Sequence, residues 1–309
     1  MRIIVVGLGV QGHKRRAIAG KDCVASVDPV NTDAQYQSIS DVPLSSYDAV
    51  LLCIPDEPKV ALIRYCLQHD KHVLVEKPLW AVSEVEISEI QTLARTKKKV
   101  CYVAYNHRFE PHFIRMRDLI ASNTLGKIYH CRMFYGNGTA ALVRHSPWRD
   151  QGAGVLPDLG SHLFDLVHFW FGVSSDDFSV VSSRCFENKA PDHVVCKSYT
   201  SEPQIEMEMS LLAWKNHFSC DLWAEKGSVH ISSLCKWGPS TFTQRRRVLP
   251  SGKPDEESIT LVQGDPTWQL EYEHFKSLCQ NNIETDLSKD IWLNRTLGSL
   301  ATVAVQEVL

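Results

Sequence analysis

Apolar residues fall in two rhythms along this chain, and the change comes near Lys127. Before it, short unbroken apolar runs recur: Ile3–Val6, Cys23–Val27, Ala49–Ile54, His72–Val75 and Val100–Ala104. Such runs mark strands buried on both faces of a parallel sheet. Helical patterns lie between them. Lys59–His69 places Val60, Ile63 and Leu67 on one face, and Ser83-Glu84-Val85-Glu86 reads as a capping box opening a helix that runs to about Lys97. Strands alternating with helices predict right-handed βαβ units and a doubly wound sheet. Only between Asp28 and Tyr47 is the helical signal weak, so that crossover is expected to be abbreviated.

After Lys127 the period becomes two. Ile205, Met207, Met209 and Leu211 face one way, while Glu206, Glu208 and Ser210 face the other. Ile128–Tyr135, Ser179–Arg184, Val194–Tyr199, Phe218–Trp223 and Ser228–Ser232 are further strand candidates, with a hairpin turn at Glu225–Ser228 and an exposed loop at Pro250–Pro254. Two helices, about Trp268–Cys279 and Ser288–Val308, close the chain. A single-layer sheet has to cover its second face. Met207, Trp214 and Trp223 exceed what so few helices can hide, so a homodimer or homotetramer formed through this sheet is expected.

Length and charge narrow the picture. The chain has 309 residues, which suggests two domains, 1–118 and 119–309. A formal net charge of -3 gives no support to nucleic-acid binding, and Arg245-Arg246-Arg247 reads as a solvated sheet face or edge. The ten cysteines contain no C-x-x-C pair and sit mostly in apolar patterns, which fits a reducing, cytoplasmic setting. The opening MRIIVVGLG reads as a strand, so no signal peptide is expected, and no apolar run approaches the ~20 residues of a membrane span.

Three segments carry candidate chemistry. Gly7-Leu8-Gly9-Val10-Gln11-Gly12 follows the first strand and opens a helix. There the first glycine permits a tight turn, the second a close approach of backbone to a pyrophosphate, and the third close helix–strand packing. Asp28 ends the second strand, where a carboxylate accepts from an adenine-ribose 2′-hydroxyl and repels a 2′-phosphate, so NAD is expected, with NADP as the alternative. Lys77, in Glu76-Lys77-Pro78, lies at the C-terminal end of a strand and can stabilise a developing alkoxide. Asp158 and His162, in Asp158-Leu159-Gly160-Ser161-His162, share one helix face. Alone, that spacing fits an acid–base pair, a zinc pair or a capped helix with a buried histidine. The dinucleotide signature favours the acid–base reading, and no metal is expected.

The whole constellation resembles the Gfo/Idh/MocA oxidoreductases. The resemblance rests on GLGVQG at 7–12, EKP at 76–78, Asn106-His107-Arg108-Phe109, Trp148-Arg149, and GAGVLPDLGSHLFD at 152–165. It implies an α/β chain: an N-terminal Rossmann dinucleotide-binding domain, then a C-terminal α+β domain whose open-faced, mainly antiparallel sheet serves oligomerisation. It implies Lys77, Asp158 and His162 as the catalytic set, with His162 as acid–base and Asp158 holding a substrate hydroxyl or tuning Lys77. Gly7, Gly9, Val10, Gln11, Gly12, Asp28, Pro55, Glu76, Lys77 and Asn106 would face the cofactor. Arg108, Arg144, Trp148 and Arg149 would face a sugar, sugar acid, inositol or nucleotide sugar. The same family includes redox-neutral glycoside hydrolases that use NAD, and non-catalytic dinucleotide-binding regulators. One departure stands out: where the family often has Thr-Pro-Asn-x-x-His, this chain reads Ile54-Pro55-Asp56-Glu57-Pro58-Lys59.

Overall fold

The computed structural model describes residues 1–80, 82–146, 149–172, 177–200 and 202–306. In chain order the elements are β1 (Ile3–Val6), α1 (Val10–Ala19), β2 (Cys23–Val27), β3 (Ala49–Leu52), α2 (Lys59–Gln68), β4 (His72–Glu76), α3 (Glu84–Thr96) and β5 (Cys101–Ala104). There follow α4 (Pro111–Ala121), β6 (Ile128–Gly136), α5 (Ala140–Arg144), α6 (Ser161–Phe171), β7 (Phe178–Arg184), β8 (His193–Ser198), β9 (Gln204–Ser210), β10 (His217–Ala224), β11 (Gly227–Ser232), β12 (Ser240–Arg246), β13 (Asp255–Leu261), α7 (Thr267–Gln280) and α8 (Ser288–Gln306). They form two compact units: residues 1–106 with 267–294, and residues 107–266 with 295–309.

The first unit is built on a five-stranded parallel sheet in the order β2-β1-β3-β4-β5. Its central strands β1 and β3 are buried on both faces, as their unbroken patterns require, while the edge strand β2 leaves Val24 exposed. The capping box at Ser83 and Glu86 forms and starts α3. Between β2 and β3 there is no α-helix, only two 3₁₀ turns at Ile39–Asp41 and Leu44–Ser46, so that crossover is abbreviated as its weak pattern foretold. Tyr272, Phe275 and Cys279 of α7 complete the core made by Ile3, Val5, Leu51 and Leu74.

The second unit holds an eight-stranded sheet in the order β13-β12-β11-β10-β6-β9-β8-β7. Only β6 and β9 run parallel; the other neighbours are antiparallel. The period of two is realised: Ile205, Met207 and Met209 are buried beside Cys131, Met133, Phe218 and Cys220. The opposite face is polar and paired. Arg132 meets Glu206 at 3.2 Å, Asp221 meets His230 at 2.6 Å, and Trp223 stacks on His130. Among the described residues no helix is long and apolar enough to cross a membrane.

Two expectations need adjustment. Met207 is fully buried on the inner face, so it makes no demand for a second copy; only Trp214 and Trp223 of that trio are exposed. The compact units also do not divide at residue 118. Helix α4 belongs to the second unit because Phe113 packs against Trp170 and Phe218, while α7 returns to the first.

Candidate active site

In the first unit, the turn from β1 to α1 is shaped by contacts only glycine tolerates. Gly7 has φ +90°, and a Cβ there would lie 2.3 Å from the Cys53 carbonyl oxygen. A Cβ on Gly12 would lie 1.7 Å from the Gly7 oxygen. Gly9 is the opposite case, since a Cβ there would meet no atom within 4 Å. Val10 and Gln11, which open the helix, are exposed, and no side chain caps the helix start. Crowding under the turn and open space above it fit a dinucleotide pyrophosphate at a helix N-terminus.

Asp28 fastens this turn to the end of β2. Its carboxylate accepts from Leu8 N (2.7 Å), Val30 N (2.9 Å) and Asn31 N (2.8 Å), while Asn31 Nδ2 donates to the Leu8 carbonyl at 2.9 Å. Burial opposes ionisation of Asp28, but the three backbone donors outweigh it and hold its carboxyl below the ordinary value. A carboxylate offers about four acceptor positions, so one remains for a ribose hydroxyl.

The Glu76-Lys77-Pro78 turn at the end of β4 is braced on both sides. Glu76 accepts from Arg15 at 2.7 Å, and the same guanidinium, 1% exposed, reaches the fully buried Glu271 at 2.7 Å. Burial opposes the Arg15 charge, and the two carboxylates outweigh it and raise its pKa. Lys59, also buried, donates to the Pro78 carbonyl at 2.8 Å and to Asp56 at 2.6 Å; burial pulls its pKa down. Lys77 is half-buried, and the Lys77–Pro78 bond is cis. Asn106 Nδ2 donates to Thr267 Oγ1 at 2.7 Å, and Pro55 is exposed.

In the second unit, a π-helical turn at Leu156–Gly160 leads into α6 and carries Asp158 four residues before His162. Gly160 lets this turn lie against β9, since a Cβ there would fall 2.8 Å from Met209 Sδ. Arg149 donates to Asp158 at 3.3 Å. Arg108 makes a two-pronged pair with buried Asp165, at 2.7 and 2.8 Å. His162 is 8% exposed, and its ring stacks on His107 with centroids 3.9 Å apart and planes 19° apart. Arg144 is exposed and paired with Glu187, and Trp148 lies outside the described residues. Among the described residues no group of three His, Cys, Asp or Glu side chains is arranged to hold a metal ion.

Comparison with known proteins decides the family. Residues 1–105 match a family model described as the oxidoreductase family, NAD-binding Rossmann fold, and residues 113–230 match the GFO/IDH/MocA C-terminal domain. The chain belongs to the Gfo/Idh/MocA family. It is 31% identical over 229 residues to trans-1,2-dihydrobenzene-1,2-diol dehydrogenase of Bos taurus, covering 72% of this chain and 66% of that one. It is 32% identical to glucose-6-phosphate 3-dehydrogenase of Bacillus subtilis over 123 residues, 38% of this chain and 34% of that one. The chain spans between 34% and 66% of the curated relatives it matches. Among solved structures, levoglucosan dehydrogenase in complex with NADH shares the fold with a TM-score of 0.81 at 15% identity, covering 100% of this chain and 98% of that one.

Measured against the Gfo/Idh/MocA pattern, the departure at residues 54–59 now has a physical form. Lys59 stands where the pattern has histidine, and it secures the carbonyl next to Lys77. Three residues of the second unit escaped the sequence reading. Tyr135 from β6 and Lys236 from a 3₁₀ turn at Cys235–Trp237 join His107 and His162 in one cluster. His107 lies inside the segment Asn106–Phe109 that carried the resemblance, but no spacing links it to Tyr135 or Lys236.

Proposed function

We propose that this protein transfers hydride between NAD and a secondary alcohol of a ring-borne polyol: a sugar, sugar acid, inositol or nucleotide sugar. The observation that supports this most directly is His162, held by ring stacking four residues beyond Asp158 in a chain whose β1–α1 turn fits a dinucleotide. The relatives named above act, by their names, on a dihydrodiol and on glucose 6-phosphate, both rings with hydroxyls.

When bound, NAD supplies the hydride acceptor. Gly7, Gly9, Val10, Gln11 and Gly12 would hold its pyrophosphate, with Asp28 at the ribose and Asn106 and Pro55 as further contacts. Asp28, kept ionised, would repel a 2′-phosphate, which favours NAD over NADP. His162 takes the hydroxyl proton; the ordinary imidazole pKa of ~6.5 suits a base near neutrality. Lys77 stabilises the alkoxide, and Asp158 holds a neighbouring hydroxyl. Arg149 and Arg108, each fixed by a carboxylate, contact the substrate. A second copy covers the polar face of the eight-stranded sheet, giving a homodimer or homotetramer; a monomer in sedimentation equilibrium removes that part.

The deciding assay is NADH formation across free sugars, inositols, sugar acids and nucleotide sugars. Lys77→Met and His162→Ala are each expected to lose about 10²- to 10⁴-fold in turnover while keeping dinucleotide affinity. Near-normal turnover in either variant sinks its assigned role. Cleavage of a glycoside with no net NADH would replace the dehydrogenase by a redox-neutral hydrolase.

A further inference from the structure

The cluster around His162 contains an ordered relay of side chains. Lys236 Nζ lies 3.1 Å from His107 Nε2 and 3.1 Å from the Tyr135 hydroxyl. An ammonium group has donors and no acceptor, so His107 Nε2 has to accept, and the His107 proton sits on Nδ1. Protonating His107 would turn an N–H toward the ammonium. His107, 3% exposed, is therefore held neutral, in one tautomer and one orientation, and its flat face backs the His162 ring. Lys236 is itself held in place. Buried Glu110, at the start of α4, accepts from Cys235 N at 2.8 Å and fixes the turn that carries Lys236, whose ammonium also lies over the Trp237 ring at 4.5 Å.

We propose that Lys236, acting through His107, is a positioning residue for His162: it locks the ring that His162 stacks on and keeps His162 in its proton-accepting form. This rests on reading His162 as the acid–base group. Proton uptake by His162 would place a second cation near the ammonium, behind a ring that cannot shed the strain by tilting. Among the described residues of the second unit, further charged and titratable groups lie on the elements that carry the cluster. From its own segment come Asp158, paired with Arg149, and Asp165, paired with Arg108. From β6 comes Tyr135, whose hydroxyl is pushed well above its ordinary pKa by burial, then by Asp158 and Asp265, and so stays neutral. Glu110 feels Asp265 and Lys236, and its carboxyl is raised above the ordinary value, chiefly by burial. The acids favour a protonated His162; Lys236 opposes them, as does Lys77 on the proposed reading, and Lys77 is left unchanged in the variants below.

The test reads the rings directly and needs no substrate. Histidine side-chain NMR titrations on the full chain, assigned with His107→Phe and His162→Ala, are expected to show His107 as a non-titrating Nδ1–H tautomer between pH 8 and about 5.5. In Lys236→Met the His162 midpoint is expected to rise by about one pH unit, and in Lys236→Arg to stay where it is in the parent. An unmoved His162 midpoint in folded Lys236→Met overturns the proposal. So does a His107 that titrates near its ordinary value in the unmodified protein, a result that needs no variant to fold. Should His162→Ala keep full turnover, the acid–base reading fails while the ring titrations still stand on their own.

Discussion

The β1–α1 turn of the first unit and the His162 cluster of the second solve different problems with different materials. The turn is made of backbone. Its shape is dictated by two glycines pressed against carbonyl oxygens, one of them that of Cys53, and the glycines themselves fall within six residues of sequence, with Asp28 as a clip. The His162 cluster is made of side chains drawn from residues 107, 135, 162 and 236, and its geometry depends on stacking and on one ammonium. A backbone site is rigid but generic: it recognises a phosphate common to many substrates. A side-chain site is adjustable, and on the function proposed above substrate selection resides there.

The strongest way to break this contrast is to attack the support beneath the first unit's site. Arg15→Met would leave Glu271, fully buried, and Glu76 without their shared cation. Removing one partner from a buried ion cluster costs about 3–5 kcal/mol, so the variant is expected to unfold at much lower denaturant than the parent. A loss below ~1 kcal/mol in urea titration would mean that the cluster is not a buried support. The glycines sharpen the contrast within the turn itself. Gly12→Ala is expected to cost about 1–3 kcal/mol of stability through overpacking. Gly9→Ala, with open space around the new methyl, should leave the melting temperature unchanged and weaken NAD binding by about tenfold, roughly 1.4 kcal/mol. Equal effects of the two on stability would show that the turn is not crowded from one side only.

A smaller effect depends on pH. His72, at the start of β4, accepts from Val100 N at 3.0 Å, and burial, helped by Lys99, depresses its pKa to about 4. The unfolded chain takes up a proton below the ordinary value of ~6.5, while the folded chain resists until about 4. Stability therefore rises with pH between those values and is flat above them. Relative to His72→Gln, the parent is expected to lose about 2 kcal/mol between pH 7 and pH 5. A pH-independent difference between the two proteins would remove His72 as the cause.

Much of the first unit was legible because its signals are local. Apolar runs, the Ser83 capping box and the glycine turn each need only neighbouring residues. In the second unit, the alternation in β9 was equally plain. Of β12 only the sheet setting of Arg245 and Arg246 was read, and β13 was missed, because their sequences, STFTQRR and DEESITL, bury little and so carry almost no apolar rhythm. The departure at Lys59 was visible as a missing histidine, but its contact with the Pro78 carbonyl was not, since nothing in the spacing of residues 59 and 78 relates them. The same holds for Lys236 and His107, which lie 129 positions apart. Helix α7 read correctly as a helix and was assigned to the wrong unit, because an amphipathic pattern states that a face is buried but not against what.

That return of α7 to the first unit bears on how the protein is made. The parallel sheet is fully synthesised by residue 104, yet Tyr272, Phe275 and Cys279 of its core come last. A nascent chain emerging from the ribosome must carry an incomplete dinucleotide domain through the synthesis of the whole intervening sheet domain. That interval is the period in which Ile3, Val5 and Leu51 lack their final cover. Chaperone contact or aggregation during synthesis is expected to concentrate there, and a fragment ending at residue 118 would never leave that state.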